Sequence, residues 1–498
     1  MTDTRLTVRG DAPIGIISPR LYGHFAEHLG RCCYGGLWDD GRSADDPSAS
    51  GFRRDVVAAL KDLPVPLLRW PGGCYADHYH WRDGIGPRQD RPRRLGMSCG
   101  LQVEDDNALG THEFLALCAD LGAEAYLAGN VGTGTPQELA DWVEYCVSPR
   151  DTALTRERAA NGSPAPFSVP LWGVGNETWG CGGNYDAVTY AKEYRRYATM
   201  LRHVAPAAEL VACGFEDDWN VAFLDTLGSH AHLVDHLSIH AYWNDGGPET
   251  NFDEDGFDAL LAEARGTEVF VERTAAIIRD AVGDRHHVGI ALDEWGVWHP
   301  EARPWGTTGV PARDPVTYEQ ANTLRDALAA AVAFRGFHQQ CQVLTLANVA
   351  QVVNVLQAVV MTDGPRMWRT PTYHAFQMHT AHMCATALPV STDEGVSLPD
   401  GSAAVVGTAS TTGGDLTVSL VNQSMRRGAE VMLRLEGHAT DRTPTAMILT
   451  DPDPATQNSA ADPDRLVPVP IPVAADGAGS WRLDLPPASL VTIRYPAR

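Results

Sequence analysis

Three signals that would each assign the sequence to another class of protein are missing from its 498 residues. It has no run of about 18 apolar residues, which is the length that a helix needs to cross a membrane. Its first residues, Met-Thr-Asp-Thr-Arg, contain no apolar stretch of the kind found in secretion signals. It also lacks the glycine- and lysine-containing loop that binds nucleotide phosphates. We therefore expect no membrane partner, no nucleotide cofactor and a cytoplasmic location.

Positive charge is also scarce. Lys and Arg number 39 against 63 Asp and Glu, which gives a net charge of −24. A protein that binds a phosphate backbone needs clustered cations to displace counterions, so we expect no nucleic-acid partner. The segment at residues 173–175, Gly-Val-Gly, lacks the third glycine and the downstream acidic residue of a dinucleotide-binding loop. A neutral or weakly charged substrate fits this composition better.

Cysteine occurs ten times but never as a C-x-x-C pair. Cys118, Cys146 and Cys213 lie in apolar runs, where a thiol behaves as a small buried apolar group. We therefore interpret the cysteines as reduced thiols.

Histidines are paired at positions 78 and 80 and at positions 286 and 287. Neither pair has a cysteine or carboxylate at a spacing that suits a metal site. We expect no metal and no other cofactor.

What the sequence does contain is a regular alternation of short apolar runs with amphipathic stretches. Apolar residues make up 44% of the chain, enough for a large core. Strands are predicted near residues 21–22 and at 67–70, 123–127, 171–174, 210–212, 237–239, 288–291 and 343–346. Helices are predicted at residues 51–62, 111–121, 136–146, 186–204, 220–227, 268–282 and 318–337. Eight strands that alternate with helices indicate a closed parallel (β/α)8 barrel, the TIM barrel of the α/β class.

The pattern changes near residue 384. Beyond it, short apolar or alternating segments are separated by Gly, Asp and Pro, at residues 403–406, 416–421, 431–433, 446–449 and 490–493. This pattern predicts a C-terminal antiparallel, jelly-roll-like β-sandwich, completed by an N-terminal strand at residues 6–8 that has no partner nearby. We predict a catalytic barrel at residues 19–384 and a sandwich formed by residues 1–18 and 385–498, with residues 451–468 as a long ordered loop.

Two of the predicted barrel strands end in a carboxylate. Residues 171–177 read Leu-Trp-Gly-Val-Gly-Asn-Glu and lead to Glu177, and residues 288–294 read Val-Gly-Ile-Ala-Leu-Asp-Glu and lead to Glu294. A retaining glycosidase needs one carboxylate to attack the anomeric carbon and a second carboxyl about 5 Å away to protonate the leaving oxygen. Glu177 and Glu294 are the candidates for this pair. The spacing alone leaves open that both are ion-paired carboxylates at the barrel rim.

Other side chains fall at the same predicted edge of the barrel. Arg69, Asn176 and His240 lie at or just past strand ends, which is where barrel enzymes hold their chemistry. Trp179 follows Glu177 by two positions, and its ring suits stacking on a sugar. These four residues are candidates for substrate binding.

Several longer segments form a consistent set along the chain. They are Tyr-Gly-His-Phe-Ala-Glu-His-Leu-Gly-Arg at residues 22–31, Leu-Arg-Trp-Pro-Gly-Gly at 68–73, Tyr-His-Trp-Arg-Asp-Gly-Ile-Gly-Pro at 79–87, Gly-Thr-His-Glu-Phe at 110–114, Gly-Thr-Gly-Thr at 132–135, Trp-Gly-Val-Gly-Asn-Glu at 172–177, Leu-Asp-Glu-Trp at 292–295 and Ala-Gln-Val-Val-Asn at 350–354. In this order, over nearly the whole chain, they resemble glycoside hydrolase family 51, the α-L-arabinofuranosidases.

The resemblance implies a (β/α)8 barrel with a β-sandwich, a retaining double displacement without a metal, and a homo-oligomer, commonly a hexamer. Its Gly-Asn-Glu motif identifies Glu177 as the acid/base. Its Asp-Glu-Trp motif identifies Glu294 as the nucleophile. The expected partner is a small carbohydrate substrate.

The same resemblance implies roles for the remaining candidates. Glu27, Asn176 and Gln351 would hydrogen-bond the furanose hydroxyls, Tyr242 would contact the nucleophile, and Arg69 would hold its carboxylate in place. A purely structural role stays open for each, such as an ion pair inside the barrel for Arg69 or a helix cap for Gln351.

Two positions depart from the family pattern. Cys74 stands where many members have Asn after Pro-Gly-Gly, and we include it among the substrate-binding candidates. Residues 97–107, where members often place a substrate-facing tryptophan, contain none. We expect this second departure to affect the choice of substrate and to leave the mechanism unchanged.

The sequence is therefore interpreted as an exo-acting retaining α-L-arabinofuranosidase that trims short arabinose-bearing oligosaccharides. One alternative is a hydrolase of another furanoside, such as a β-D-galactofuranoside, whose ring has a similar configuration. Another is a catalytically silent carbohydrate-binding protein on the same fold. The presence of both Glu177 and Glu294 disfavours the silent protein.

Overall fold

The computed structural model describes residues 2–39, 51–283, 286–307, 309–437, 443–477 and 479–497. Eight parallel strands close into a barrel in their order along the chain, which confirms the predicted TIM barrel. Barrel strands 1 to 8 are Gly23–Phe25, Leu67–Trp70, Glu124–Gly129, Leu171–Val174, Glu209–Ala212, His236–Trp243, Gly289–Val297 and Leu344–Ala350.

α-Helices surround these strands. They are Arg54–Asp62, Thr111–Leu121, Pro136–Val147, Ala153–Ala160, Ala187–Val204, Asp217–Leu227, Glu254–Val282, Leu324–Gln339 and Pro371–His379. Among the described residues, no helix combines the length and the apolarity that crossing a bilayer requires.

Several predicted bounds were wrong for identifiable reasons. The first barrel strand was expected near residues 21–22, but these residues end a 3-10 helix, Pro19–Tyr22, that Ser18 caps by accepting a hydrogen bond from the Arg20 N–H. The helix predicted at residues 268–282 is the second half of the 29-residue helix Glu254–Val282, whose first half contains two helix-weakening glycines. Barrel strands 6 and 7 extend several residues beyond their predicted ends.

The lower part of the barrel is filled by apolar side chains. Because alternate residues of a strand point to the same side, Arg69 follows Leu67 into the barrel interior, one layer higher. The polar groups of the site therefore lie above an apolar floor, which is formed by Leu67, Tyr126, Leu171, Val211, Ala291 and Leu346.

A C-terminal sandwich of two sheets packs around a second apolar core. One sheet contains, in spatial order, Val390–Glu394, Thr2–Arg9, Ala429–Glu436, Ser480–Leu485 and Ala474–Ala475. The other contains Gly15–Ile16, Thr386–Leu388, Val405–Thr412, Asp415–Asn422, Ser489–Tyr495, Thr445–Thr450 and Val469–Pro470.

The N-terminal strand completes the sandwich, as predicted. Thr2–Arg9 pairs antiparallel with Val390–Glu394 on one side. On its other side it runs parallel to Ala429–Glu436, so the sandwich is not purely antiparallel. The division of the chain at residues 18/19 and 384/385 stays a prediction.

Shorter strands form two-stranded sheets outside the barrel and the sandwich. They are Trp38–Asp39 with Gly51–Phe52, Arg94–Ser98 with Leu101–Asp105, and Val360–Asp363 with Arg366–Arg369. The segment at residues 451–468 docks on the barrel, where the carbonyls of Pro454 and Thr456 accept hydrogen bonds from the N–H groups of Arg325 and Leu324 at 3.1 and 2.9 Å. These N–H groups open the helix Leu324–Gln339 and have no partner within it.

Buried histidines link the barrel to the sandwich. His338 Nδ1 lies 2.8 Å from the Thr408 hydroxyl, and His382 Nδ1 lies 2.7 Å from the Ser410 hydroxyl. Burial and the neighbouring histidines lower the pKa of both rings well below the usual value, and burial lowers that of His379 to about 4. The folded protein therefore keeps all three rings neutral in mildly acidic solution.

This network predicts a loss of stability in acid. Below the ordinary histidine pKa of 6.5, the unfolded chain binds protons that the folded chain excludes, so falling pH favours unfolding. Each ring contributes up to about 1.4 kcal/mol per pH unit. We expect the thermal unfolding temperature to fall as the pH is lowered from about 6.5 to 4.5, and to fall less steeply in His382→Gln. The exposed His232→Gln is the control, and equal slopes in all three proteins would contradict the prediction.

Candidate active site

Glu294 lies inside barrel strand 7, not at its end. Along the pairing with barrel strand 6, His240 lies opposite Glu294, and the register shifts by one residue at Asp293. Such a bulge interrupts the alternation of side chains and re-aims them. As a result, consecutive carboxylates both reach polar partners inside the barrel: Asp293 accepts from the Tyr126 hydroxyl at 2.8 Å, and Glu294 accepts from Arg69.

The Glu294 carboxylate is buried and held from two sides. Arg69 Nη1 donates to its Oε1 at 2.8 Å, and the Tyr242 hydroxyl donates to its Oε2 at 2.6 Å. Burial acts to raise the pKa of Glu294, but His240, Arg69 and the Tyr242 hydroxyl outweigh it and lower the pKa. Glu294 is therefore ionised near neutral pH, as a nucleophile must be.

Glu177 follows barrel strand 4 on a tightly turned loop. Gly175 has a φ of 85°, and a Cβ there would lie 2.8 Å from the Thr178 side chain, which explains the glycine. Glu177 itself has a φ of 39°, in the left-handed region that non-glycine residues rarely adopt. Strain of this kind concentrates at functional sites, where the surrounding structure enforces it. The loop thus presents the Glu177 side chain to the barrel mouth.

His240 lies between the two carboxylates. Its Nδ1 is 2.7 Å from Glu177 Oε1 and 3.6 Å from Glu294 Oε2. One carboxylate oxygen of Glu177 and one of Glu294 lie within 4.8 Å of each other. Burial acts to lower the pKa of His240, but the two carboxylates outweigh it and raise the pKa. A protonated His240 lies beside both carboxyl groups and offsets the negative charge of Glu294.

A cavity of about 420 Å³ opens above Glu294. Several side chains on its wall carry a buried polar atom without a hydrogen-bond partner among the described residues, and two of these atoms are the Asn176 amide nitrogen and the Gln351 amide oxygen. The opposite ends of both amides are held, since Arg69 donates to Asn176 at 2.6 Å and Gln351 donates to Glu27 at 3.0 Å. A fixed donor and a fixed acceptor on side chains that line a cavity are suited to sugar hydroxyls.

Glu27 lies at the same wall, after barrel strand 1. Its Oε1 accepts from the Tyr75 N–H at 3.1 Å and from the Ser98 hydroxyl at 2.6 Å. A Cβ at Gly73 would lie 2.5 Å from that oxygen, so the second glycine of Pro-Gly-Gly makes room for the carboxylate. Burial and the charge of Glu294 raise the pKa of Glu27 to about 7.

The cavity mouth is aromatic, but not where the sequence resemblance placed the ring. The hairpin formed by Arg94–Ser98 and Leu101–Asp105 has no tryptophan and turns at Cys99, which lines the cavity. Trp298 and Trp305 line it from the segment after barrel strand 7, and their ring centroids lie 5.2 Å apart. Sequence reasoning missed both residues. The density of tryptophans just after Glu294 was the available signal.

A larger cavity of about 820 Å³ lies on the other side of Glu177. The Trp179 and Phe215 rings stack there with centroids 3.9 Å apart, and the Trp179 N–H donates to the Gly214 carbonyl at 3.2 Å. Both cavities are lined by Glu177, Trp179, Tyr242 and Asn244, so they meet at the predicted acid/base.

The predicted site residues therefore come together. Nine of them line one or both cavities, and Arg69 lies directly beneath, bonded to two of the nine. The nine are Glu27, Cys74, Asn176, Glu177, Trp179, His240, Tyr242, Glu294 and Gln351.

The interpretation of the cysteines as reduced thiols was wrong for one pair. Cys74 and Cys181 form a disulfide, with their Cα atoms 5.1 Å apart. They are 107 positions apart in sequence and meet because the loops after barrel strands 2 and 4 converge at the barrel mouth. Cys74 lines the smaller cavity, as a substrate-binding residue would, but its sulfur carries no hydrogen to donate.

Comparison with known proteins gives a consistent result. The model of the α-L-arabinofuranosidase 1 domain matches residues 59–256, and that of the α-L-arabinofuranosidase C-terminal domain matches residues 293–489. An intracellular exo-α-L-arabinofuranosidase of Bacteroides ovatus is 38% identical over 98% of this chain and 95% of its own. An intracellular exo-α-(1→5)-L-arabinofuranosidase of Streptomyces lividans is 31% identical over 99% of this chain and 75% of its own. The crystal structure of the GH51 arabinofuranosidase from Xanthomonas axonopodis pv. citri superposes with a TM-score of 0.91 at 37% identity, covering 100% of both chains.

Proposed function

The chain belongs to glycoside hydrolase family 51, the α-L-arabinofuranosidases, and from this premise we propose that it cleaves terminal α-L-arabinofuranosyl residues from oligosaccharides with retention of configuration. The observation that carries the mechanism is the approach of Glu177 and Glu294 to within 4.8 Å. Retaining enzymes hold their carboxyl groups about 5 Å apart, whereas inverting enzymes leave about 6.5–9.5 Å for a water molecule.

In the first step, Glu294 attacks the anomeric carbon and Glu177 donates a proton to the departing glycosidic oxygen. A covalent glycosyl-enzyme forms as the bond to the leaving group breaks. Arg69 and Tyr242 support this step because they keep Glu294 ionised and aimed into the cavity. In the second step, Glu177 takes a proton from water, which displaces Glu294 and returns it as a carboxylate.

The smaller cavity is the proposed sugar site. Asn176, Gln351 and Glu27 offer a fixed donor and fixed acceptors to the furanose hydroxyls. The apolar layer that fills the barrel closes the site from below. We expect exo action because the two relatives are named exo-acting enzymes and a closed pocket suits a terminal sugar.

The larger cavity is the proposed site for the leaving group. It begins at Glu177, which must reach the departing oxygen, and it combines the Trp179–Phe215 stack with Phe270 and three carboxylates. Aromatic faces and hydrogen-bond acceptors together suit a neutral sugar. At about 820 Å³, the cavity has room for more than one sugar ring, and this size supports an oligosaccharide substrate.

Removing an aromatic ring from the larger cavity should lower kcat/KM for long substrates more than for short ones. Phe270→Ala, which removes a ring that lines only the larger cavity, is expected to lower kcat/KM on arabinotriose by about tenfold, equivalent to about 1.4 kcal/mol. The rate on a nitrophenyl arabinofuranoside, whose leaving group is small, should change much less. Steady-state kinetics on both substrates measures the difference.

Val269→Ala provides the matched control for Phe270→Ala. Val269 is exposed and neighbours Phe270 on the helix Glu254–Val282, but it does not line the cavity. An equal loss on both substrates in Phe270→Ala would show that this cavity does not hold the leaving group.

A panel of nitrophenyl furanosides tests the substrate assignment. We expect the α-L-arabinofuranoside to be cleaved with the highest kcat/KM. If it is inert and a β-D-galactofuranoside is cleaved, the sugar assignment fails while the mechanism stands.

Assembly and location are proposed from similarity alone. We expect a homo-oligomer, in the form of a hexamer, and light scattering that gives the 53.8 kDa mass of a single chain would refute it. The two relatives are named intracellular enzymes, and we expect the same location here. Finding the enzyme in the culture medium of intact cells would contradict this.

A further inference from the structure

Three cysteine sulfur atoms cluster beside the Glu177 carboxylate. Cys99 Sγ lies 3.9 Å from Cys74 Sγ, and Cys181 Sγ lies 3.5 Å from Glu177 Oε2. The three cysteines come from separate segments, namely the loops after barrel strands 2 and 4 and the turn of the hairpin at residues 94–105. Cys74, Cys99 and Glu177 line the sugar cavity, so a solute that enters it reaches the cluster.

These groups have the chemistry of a soft-metal site. Thiolate sulfurs and carboxylate oxygens are both ligands of tetrahedral Zn²⁺ sites, and thiolates select Zn²⁺ and its heavier relatives. With Zn–S bonds of about 2.3 Å, two sulfurs of a tetrahedral site lie roughly 3.8 Å apart. The separation of 3.9 Å between Cys74 and Cys99 matches this value. Glu177 adds a carboxylate oxygen within 4.8 Å of both sulfurs of the Cys74–Cys181 disulfide.

We propose that reduction of the Cys74–Cys181 disulfide converts this cluster into an inhibitory binding site for one soft divalent cation, such as Zn²⁺ or Cd²⁺. The ligands would be Cys74, Cys99, Cys181 and Glu177. The binding of the cation does not depend on the proposed function. The inhibition does rest on the proposed function, because a cation on Glu177 prevents this carboxyl from protonating the leaving oxygen.

The charges around the cluster favour a cation. The carboxylates of Glu27, Glu177 and Glu294 lie around Cys99, and all four residues line the sugar cavity. A bound cation offsets the negative charge of such a surrounding. His240 lies beside Oε1 of Glu177, whereas Cys181 lies beside Oε2 of the same carboxylate. The histidine and a metal ion therefore do not compete for one oxygen.

The chemical steps balance with a dithiol as the reductant. The dithiol reduces the Cys74–Cys181 bond to two thiols and is itself oxidised to a cyclic disulfide. Binding of M²⁺ then displaces the thiol protons of Cys74, Cys99 and Cys181 to solvent, and Glu177 adds its carboxylate oxygen. The oxidised protein has no free thiol at two of the four positions, so it should not form the site.

Cadmium titration tests the proposal with a spectroscopic readout. The full-length enzyme is reduced with dithiothreitol, desalted without oxygen and titrated with Cd²⁺, alongside the untreated disulfide form. We expect the ultraviolet absorption of cadmium–thiolate bonds to saturate at one Cd²⁺ per chain in the reduced enzyme only. Arabinofuranosidase activity should fall in parallel and return when a chelator is added.

Single substitutions locate the site. Cys74→Ser, Cys99→Ser and Cys181→Ser should each weaken Cd²⁺ binding by at least about 10–100-fold, while Cys384→Ser, an exposed cysteine outside the cluster, should not change it. Inhibition is compared with each variant's own metal-free rate. Unchanged affinity in Cys181→Ser, or no thiolate absorption in the reduced enzyme, would overturn the site. Cd²⁺ binding without inhibition would overturn the inhibitory role of the site. Full activity of Glu177→Ala on arabinotriose would be a failure of the proposed function and not of the metal site.

Discussion

Glu294→Ala enzyme is expected to hydrolyse neither nitrophenyl arabinofuranosides nor arabino-oligosaccharides, with kcat lower by on the order of 10⁴-fold or more. Alanine removes the atom that forms the bond to the anomeric carbon, so the loss should not depend on how good the leaving group is. The test is to measure steady-state rates on a dinitrophenyl arabinofuranoside, which has a good leaving group, and on arabinotriose, which has a poor one.

Tyr242→Phe is the control that keeps the nucleophile and removes one of its hydrogen bonds. The Tyr242 hydroxyl helps to lower the pKa of Glu294, so its loss should raise that pKa and move the acid limb of the kcat/KM profile to higher pH. Activity should fall far less than in Glu294→Ala.

Covalent labelling provides a second measurement. A mechanism-based furanoside that forms a stable glycosyl-enzyme should label Glu294, and peptide mass spectrometry should find the mass increase there. Labelling of another carboxylate, or near-normal turnover by Glu294→Ala, would show that the nucleophile had been assigned wrongly.

The barrel was predictable because it repeats. Each strand appears in the sequence as a short apolar run, and most helices appear as an amphipathic pattern with the helical period of 3.6 residues. The helix Pro371–His379 was missed because it is both short, at nine residues, and buried on nearly every side. So short a segment without an exposed face gives no recognisable helical period.

The two candidate carboxylates, Glu177 and Glu294, were predictable from their positions, but their setting was not. Glu294 was expected at a strand end, whereas it lies within a longer strand whose bulge at Asp293 turns both carboxylates inward. A bulge is a property of the pairing between two strands, so one strand's sequence does not reveal it. The same limit applies to the contact of His240 with both Glu177 and Glu294.

Contacts between distant loops were the least predictable part of the site. The Cys74–Cys181 disulfide and the tryptophans at the cavity mouth depend on which loops meet above the barrel. The order of strands determines that the loops share one face, but not how each loop folds across it. This is why the absence of a tryptophan from residues 97–107 was visible in the sequence, whereas the position of Trp298 and Trp305 at the cavity was not.

Glu177→Ala should affect the two steps of the reaction differently, and its effect on the first step should depend on the leaving group. Without a proton donor, substrates with poor leaving groups, such as arabino-oligosaccharides, should lose about 10²–10⁴-fold in kcat/KM. A dinitrophenyl arabinofuranoside needs no protonation, so its first step should survive and the glycosyl-enzyme should accumulate, because no base activates the water of the second step. A burst of dinitrophenol followed by slow turnover is the expected time course.

Added azide should then restore turnover of the dinitrophenyl substrate. Azide is an anion that needs no general base, and it can enter the space left by the removed carboxylate to attack the glycosyl-enzyme. Because Glu294 has already inverted the anomeric carbon once, the second attack should give a glycosyl azide with the configuration of the substrate, which nuclear magnetic resonance can assign. Glu216→Ala removes another carboxylate from the same cavity wall and should respond to azide no more than the unmodified enzyme. If azide neither raises the rate of Glu177→Ala nor appears in a retained product, Glu177 is not the acid/base, and Glu27, with its pKa of about 7, is the next carboxyl group to test.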